Sequence, residues 1–157
     1  MPVKMDAEIK GLKEVQRNMT QAVRDLRGTP IENAMRDSTL YVTRDARINA
    51  PVDSGRLRAS ITPEVRSQGE TVEGVVGSNV TYAPYVELGT RPHWPPLAAL
   101  EVWARRHHTS AFLVARAISQ RGTPAIHYLQ KAFESNKDKI EKRIGQAVEG
   151  IVKTANE

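Results

Sequence analysis

Fifteen residues in the middle of the chain, YAPYVELGTRPHWPP at 82–96, restrict the possible folds more than any other stretch. They hold four of the nine prolines. Each proline lacks an amide donor and biases the preceding residue toward extended geometry, so the segment cannot be a long helix or a central strand. Large apolar side chains stand between the prolines and must pack on the chain's own core or on a partner. We predict a strand end or a single helical turn over 82–88, followed by a stiff arm over 89–96 that lies on a surface.

The composition is that of one domain without disulfides. The 157 residues suit a single domain, while an apolar content of 39% and an aromatic content of 5% indicate a small core with extended helices that bind partners. The lack of cysteine excludes a disulfide framework, a thiolate metal site and a cysteine nucleophile. No apolar run approaches the ~20 residues that span a bilayer, and no secretory signal is visible. The net charge of +5 is compatible with nucleic acid or an acidic protein as neighbour.

The order of the sequence patterns predicts one α+β domain over 1–157. N-terminal helices precede a small antiparallel sheet of three to four strands, and C-terminal helices pack on one face of that sheet. An apolar seam at alternating three- and four-residue spacing predicts a helix over 6–27, which makes 1–28 an N-terminal helix and 29–153 the core. The seam consists of Leu12, Val15, Met19, Ala22 and Leu26. It docks either on its own domain or on a neighbouring subunit.

A second helix is predicted over 29–49. The letters TPIE at 29–32 combine a threonine cap, a proline suited to the first turn and a glutamate that completes a capping box. Pro51 must end this helix, because the residue before a proline avoids helical geometry. Asp37 and Asp45 lie near arginines of the same helix and are expected to pair with them locally on a solvated face.

Residues 50–58, APVDSGRLR, predict a turn followed by a short helix. Asp53 is the expected N-cap of that helix, with Leu57 facing inward. Gly55 suits a close approach of two backbones. Arg56 and Arg58 are available to an acidic partner, although exposed arginines on a short helix usually have no specific role.

The middle of the chain predicts the sheet. β-branched residues on either side of Gly69 predict a hairpin of 62–67 with 71–78, and a third strand at 80–82.

The C-terminal part predicts three helices. Two of them cover 96–108, with Leu97, Leu100 and Trp103 facing inward, and 110–121, which Gly122 ends. The last helix is predicted to start at Thr123-Pro124 and to run over roughly 124–153.

No motif indicates catalysis, a metal or a cofactor. His107 and His108 are adjacent, so on a helix they point about 100° apart and do not easily share an ion. The chain has no His-x-x-x-His pair, no Gly-x-Ser-x-Gly elbow and no phosphate-binding loop. Asp53 and Glu87 are explained more simply as an N-cap and as an acceptor for amides of the turn at 89–91 or a partner of Arg56. We therefore expect a protein without enzymatic activity.

Three ordered motifs between about 30 and 145 resemble the tail-component or neck-protein family of long-tailed bacteriophages. APVDSGRLRASI at 50–61 is similar to a Pro-Val-Asp-Thr-Gly-x-Leu motif, and YAPYVELGT at 82–90 to Tyr-Ala-Pro-Tyr-Val-Glu-x-Gly-Thr. RGTPAIHYLQKAF at 121–133 is similar to Gly-Thr-x-x-x-Pro-Phe-Leu, but has His127 and Tyr128 where Pro-Phe is usual. The motif positions are Pro51, Asp53, Gly55, Leu57, Tyr82, Pro84, Tyr85, Glu87, Gly89 and Gly122.

The resemblance implies a virion structural protein of the head–tail junction or the tail end, assembled in the bacterial cytoplasm. Such a neck or tail-completion component forms a homo-oligomeric ring and docks on neighbouring neck or tail proteins, with no membrane and no small-molecule substrate. We expect Tyr82, Tyr85 and Leu88 to anchor the arm to the domain's own core. The expected interface residues are Arg56, Arg58, Arg91, His93 and Trp94.

Nucleic acid is the alternative partner. Between 91 and 121, five arginines face only Glu101, a balance of +4, and Trp94 and Trp103 lie nearby. Such a tract is suited to tracking phosphates or stacking bases, as in a DNA-binding module without sequence preference. No helix-turn-helix, zinc finger or RNA-binding signature indicates recognition of a sequence.

Overall fold

The computed structural model describes residues 29–68 and 71–155, so the predicted helix over 6–27 lies outside the described residues. The elements, in chain order, are α1 (Thr29–Asn49), α2 (Arg56–Ser60), β1 (Ile61–Gln68), β2 (Thr71–Ser78), α3 (Ala83–Leu88), α4 (Leu97–Arg106), α5 (Ala111–Arg121) and α6 (Tyr128–Ala155). The predicted α+β class is confirmed: helices precede and follow a small antiparallel sheet in the described part of the chain. Among these elements, none combines the length and apolarity that a helix needs to span a bilayer.

The β-hairpin packs on α1 through one face. β1 and β2 pair antiparallel from Ile61 opposite Ser78 to the turn, which confirms the predicted hairpin. Side chains alternate between the two faces of a strand, and the face that carries Gly74 lies against α1, since a Cβ on Gly74 would meet Met35 and Thr39. The hairpin thus lies directly over the second predicted helix.

The predicted third strand at 80–82 is wrong: the sheet of the described chain has two strands. Val80 O accepts a hydrogen bond from Ala83 N at 3.0 Å, and Tyr82 O accepts one from Val86 N at 3.2 Å. A turn and the first turn of α3 therefore use the backbone groups that a strand would have offered to the sheet. For 82–88, the helical alternative is the one observed.

α1 and α6 lie side by side and form the centre of the fold. Most buried side chains between the elements are small, which allows close packing without many large apolar residues. The core consists of Val42, Ala46, Ala50, Leu57, Ile61, Val80, Ala83, Tyr128 and Ala132. Leu57 faces inward, as predicted.

Polar contacts also join α1 to α6. Asn136 is only 1% exposed, and its Nδ2 donates to Asp45 Oδ2 at 2.7 Å and to the Ala132 carbonyl at 2.9 Å. Asp37 accepts from Arg143 Nε at 2.8 Å. Asp45 also contacts Arg44 of its own helix, as expected. For Asp37 the expected local pairing is wrong, because its partner lies on α6, far along the chain.

Two Gly-Thr dipeptides, 89–90 and 122–123, pair with each other across 33 residues of chain. Thr90 N donates to Thr123 O at 3.0 Å, Thr123 N donates to Thr90 O at 3.2 Å, and the two hydroxyls lie 3.0 Å apart. Gly89 ends α3 and Gly122 ends α5, both in the left-handed region, with φ of 71° and 70°. A Cβ on either glycine would overlap backbone of the opposite dipeptide. We call these four residues the Gly-Thr clasp.

Glu87 connects α3 to the start of α6. Its carboxylate accepts hydrogen bonds from Leu129 N at 2.9 Å and from Gln130 N at 3.0 Å. These are amides of the first turn of a helix, where no intrahelical acceptor exists and a negative charge is favoured. Glu87 therefore caps α6 from a distance, and the expected partners at 89–91 or Arg56 are wrong.

The last helix starts at Tyr128 and not at 124, because the segment before it runs extended alongside the end of α3. Ile126 N donates to Val86 O at 3.0 Å, and His127 N donates to Glu87 O at 3.1 Å. His127 has a φ of 56°. A proline there, as in the resembled motif, could not adopt this geometry because its ring fixes φ near −65°.

Acid should weaken the contact between Asp45 and Asn136. The hydrogen bond from Asn136 lowers the pKa of Asp45 below its ordinary value of 3.8. A depressed pKa in the folded state stabilises the fold above the ordinary value, and this contribution is lost as the pH falls. Between about pH 5 and pH 3 we expect the free energy of unfolding, measured with urea, to fall more steeply for the native chain than for Asp45→Asn. The control, exposed Asp138→Asn, should follow the native slope, and identical slopes for all three proteins would contradict this role of Asp45.

The clasp should require glycine at 122. In Gly122→Ala the methyl group meets the Thr90 carbonyl in a backbone geometry that already disfavours alanine, so we expect a loss of about 3 kcal/mol in the free energy of unfolding. The matched control is Gly145→Ala, a helical position with open space around its Cβ, which should gain up to about 1 kcal/mol. Equal melting temperatures for Gly122→Ala and the native chain would contradict the clasp.

Candidate protein-docking site

An open groove of about 1050 Å³ separates α3 and the arm from the helix pair α4 and α5. Apolar side chains dominate its lining. Tyr82, Tyr85 and Val86 contribute from α3 and the turn before it. Trp103 and Ile118 contribute from the helix pair. Grooves of this kind accommodate a side-chain cluster or a segment of another molecule.

The helix pair is attached to the rest of the domain mainly at its two ends, because α4 and α5 pack chiefly on each other. At the base, the Gly-Thr clasp holds the chain where it enters and leaves the pair. The arm is joined to α5 by His93 N, which donates to Ile118 O at 3.4 Å, and by an edge-to-face contact of Trp94 with Phe112 at 5.8 Å between ring centroids. The width of the groove therefore depends on these few contacts.

Asp53 holds the far end of α4. Its carboxylate accepts from Arg106 Nη1 at 2.5 Å and lies 3.4 Å from His107 Nε2. The His107 ring stacks on Trp103 with centroids 4.2 Å apart. The prediction that Asp53 caps α2 is wrong: Gly55 stands at the N-cap with a φ of 79°, and Arg56 N donates to Ser54 Oγ at 3.5 Å. Asp53 therefore pairs with a side chain 53 residues further along the chain and not with the backbone amides of α2.

Tyr85 and Leu88 do not anchor the arm to the core, contrary to prediction, since they are 62% and 71% exposed. Tyr82 is also exposed at its position before α3. Because α3 is a helix, residues three apart share a face, and Ala83 with Val86 takes the inward one. The face with the tyrosines is left to the groove and solvent.

Two of the three residues predicted to face inward on the helix over 96–108 also line the groove. Leu100 and Trp103 line it, and Trp103 is 40% exposed. A local apolar pattern shows that a helix has an apolar face, but it does not show whether that face meets the chain's own core or an open groove. The sequence therefore gave no signal that separated these groove residues from core residues.

The five predicted interface residues lie in two places. Arg91 and His93 line the groove, and Trp94, 53% exposed, packs beside it. Arg56 and Arg58 lie on α2 and do not line the groove. Arg58 Nη2 donates to the Ala50 carbonyl at 3.3 Å, which orients its guanidinium toward the chain itself.

Among the arginines of the arm and the helix pair, Arg91 lines the groove. The others are exposed, and Arg106 pairs with Asp53. In the described ranges, no three His, Asp or Glu side chains lie close enough together to hold a metal ion. The groove is therefore suited to an apolar ligand with an acidic group near Arg91.

The described residues thus form a small α+β domain with an open, mainly apolar groove. The chain is a member of the family described as "Bacteriophage HK97-gp10, putative tail-component", whose model matches residues 10–89, 80 of its 157 residues. The resemblance to a phage tail-component family is thus confirmed. The match covers α1 to α3 and ends at Gly89. No curated protein and no solved structure matches the chain significantly.

Replacing the exposed tyrosine of α3 should leave the fold intact. Tyr85→Ala removes a side chain that is mostly in solvent, so we expect the free energy of unfolding to change by no more than about 0.5 kcal/mol. Val86→Ala, on the inward face of the same helix, should cost roughly 1 to 2 kcal/mol. Urea unfolding of both variants at low protein concentration measures the difference. A loss of about 2 kcal/mol or more in Tyr85→Ala, as in the deletion of a core side chain, would make this residue part of the core.

Proposed function

We propose that this protein is a structural component of the virion at the head–tail junction or the tail end, and that it acts by docking on other virion proteins through the groove. The observation that carries the proposal is the exposure of large apolar side chains around one concave surface, among them Tyr85, Trp94 and Trp103. The exposure of apolar surface to water is unfavourable in free energy, and a partner that covers the groove removes that exposure.

The arm is suited to binding without large rearrangement. Pro92, Pro95 and Pro96 restrict its backbone before any partner arrives, so little conformational entropy is lost on docking. Trp94 at its tip and the neighbouring Arg91 are of the residue types enriched among binding hot spots. Arg91 in the groove favours a partner with an acidic group and fixes the orientation of that partner more than its affinity.

The proposal includes a homo-oligomeric ring. The groove is mainly apolar, whereas the solvent face of the hairpin carries the Glu64–Arg66 ion pair, so the two surfaces differ in chemistry. Contacts between unlike surfaces of identical subunits generate a ring when the rotation closes. A ring in the neck or tail would contact neighbouring virion proteins and would pass DNA without specific recognition. Assembly would take place in the bacterial cytoplasm, without catalysis.

Removing one groove side chain should impair assembly without unfolding the monomer. We expect Tyr85→Ala to weaken self-association, or binding to its neighbour in the virion, by roughly tenfold or more, as the loss of an aromatic hot spot does. The matched control is Tyr41→Ala, which removes an exposed tyrosine of α1 outside the groove. Analytical ultracentrifugation of the purified proteins measures the effect. Equal weakening in both variants would contradict the groove as the docking site.

The place of the protein in the virion is tested separately by deleting its gene from the phage. We expect unjoined heads and tails or malformed tails, together with detection of the protein in purified native particles by mass spectrometry. Normal infectious particles without the protein would overturn the proposed function. Tight DNA binding that survives physiological salt would favour the DNA-binding alternative, since weak phosphate contacts are lost steeply as salt rises.

A further inference from the structure

The layer formed by α1 and α6 is wider than the sheet that covers it. Met35 and Thr39 of α1 face Gly74 of the hairpin. Asp45 of α1 contacts Asn136 of α6 instead. On a helix of about 100° per residue these two directions differ by about 100°, so α6 lies beside α1 and not beneath it. Two packed helices span roughly 20 Å, about the width of four strands at ~4.8 Å, whereas the described sheet has two strands.

The part of this helix layer without a strand above it lies next to β2. An apolar concavity of about 360 Å³, which we call the trough, is found between α1, β2 and α6. β2 contributes Gly74 and Val76 to its lining, and α6 contributes Leu129, Phe133 and Ile140. Phe133 is 55% exposed, so this side of α6 has no complete cover within the described residues.

The backbone of β2 directs hydrogen-bonding groups toward this side. Pro63 of β1 stands opposite Val76, and proline has no N–H, so this pair cannot exchange two backbone hydrogen bonds. The two kinds of pair alternate along an antiparallel ladder, so Val72 and Gly74 also direct their N–H and C=O groups away from β1. In the described chain, no backbone hydrogen bond from another element reaches Gly74 or Val76. The trough therefore lies beside a row of backbone donors and acceptors.

The opposite edge of the hairpin, on β1, is less suited to further pairing. Pro63 offers no donor there, and Arg47 Nη2 already donates to the Ile61 carbonyl at 2.7 Å. β2 has no proline, and Glu73 is its one charged residue. Prolines and charges are the features that protect an edge strand from additional partners. Of the two edges, that of β2 is therefore the one available to another strand.

We propose that β2 and the trough bind an extended segment of a different virion protein, which adds to the hairpin as a further strand. Such a strand would pair with the outward backbone groups of β2 and place every second side chain in the trough, next to Phe133. The proposal rests on the proposed function only for the source of the segment. The site itself is separate from the groove between the arm and the helix pair.

The chemistry of the two faces defines the segment. Side chains that point into the trough should be apolar, since its lining is apolar. On the other face the new strand runs beside Glu73. The cross-strand neighbour of Glu73 on β1 is Arg66, whose guanidinium is already held by Glu64 at 2.7 and 2.8 Å. A lysine or arginine of the segment beside Glu73 would complement this carboxylate.

A second copy of the chain does not supply this strand from its described residues. β1 and β2 pair with each other, the clasp holds the start of the arm, and the extended residues before α6 pair with α3. A complete second hairpin, paired antiparallel, would bring its own α1 to the place where α6 lies. Turned over, it would lay the Glu64–Arg66 face on the apolar trough. A single extended segment avoids both obstacles.

A synthetic peptide tests the edge in solution with the full-length protein. The probe is a fluorescently labelled peptide in which valines alternate with lysines and threonines, and the control has the same composition with its valines contiguous. By fluorescence anisotropy we expect the alternating peptide to bind at least about tenfold more tightly than the control. Equal binding of the two peptides, or no binding of the probe below about 1 mM, would overturn the proposal.

Two pairs of matched variants locate the site of the probe. Phe133→Ala should weaken binding about tenfold, whereas Val152→Ala, at an exposed valine of α6 outside the trough, should not change it. Val72→Pro removes an outward N–H of β2 and should weaken binding similarly, whereas Ser67→Pro, directly opposite on β1, should not. Thermal melts establish that each variant is folded. Equal effects within the pair at Phe133 and Val152 would overturn the site.

Hydrogen–deuterium exchange with single-residue resolution tests the source of the segment. We expect the amides of Gly74 and Val76 to exchange about tenfold or more slowly in purified virions than in the isolated protein, while Val65 and Ser67 on the β1 edge stay unchanged. Slower exchange in the groove alone would overturn the strand addition and leave the proposed function standing. Slower exchange at Gly74 and Val76 alone would support the strand addition and contradict the groove.

Two further outcomes would overturn a different virion protein as the source. If Val72→Pro lowers self-association in analytical ultracentrifugation, the strand comes from a second copy. If the protein is absent from virions, the source fails together with the proposed function, and the peptide measurements then decide whether the edge binds a strand at all.

Discussion

The Gly-Thr clasp is the contact on which the arrangement of this protein depends. It joins the end of α3 to the end of α5, and so closes the chain on both sides of the α4–α5 pair. Both glycines are needed because each backbone passes where a side chain of the other would stand. Next to the clasp, the carbonyls of Val86 and Glu87 accept hydrogen bonds from the segment before α6. The Glu87 carboxylate also accepts from the first amides of α6, and these contacts together fix where the last helix begins. The groove is the space that remains between the elements this contact aligns.

The distribution of large side chains explains why so small a domain carries such a surface. The core cluster contains four alanines, and its largest apolar members are Leu57, Ile61 and Tyr128. Tyr128 is fully buried, and its hydroxyl has no hydrogen-bond partner among the described residues, so that burial raises its pKa. The tryptophans lie instead at the surface. A partner that bound only the folded state and covered these aromatic residues would stabilise the fold.

Local signals predicted those elements whose causes are local. The helix over 29–49 follows from its capping residues and Pro51, the hairpin from its β-branched strands, and the end of α5 from Gly122. Two of the failures involve partners far along the chain: Asp53 contacts Arg106, and Glu87 caps a helix 42 residues later. Sequence spacing contains no information on which distant residues come into contact. Tyr85 is predicted in the core on the expectation that a strand leads into the arm, whereas the helix α3 exposes this side chain. The arm was correctly expected at a surface, but the groove beside it depends on contacts that only the folded chain defines.

Hydrogen–deuterium exchange of the protein in isolation and in purified virions tests whether the clasp frames a groove that other virion proteins cover. In isolation, the amides of Thr90 and Thr123 should exchange slowly with the core, because each donates to the opposite dipeptide. In virions, the peptides of α3 and of the α4–α5 pair should exchange about tenfold or more slowly than in the isolated protein, as expected when a partner adds 1.4 kcal/mol or more of local stability. Fast exchange of the clasp in isolation, or groove peptides that exchange equally fast in both states, would contradict the account.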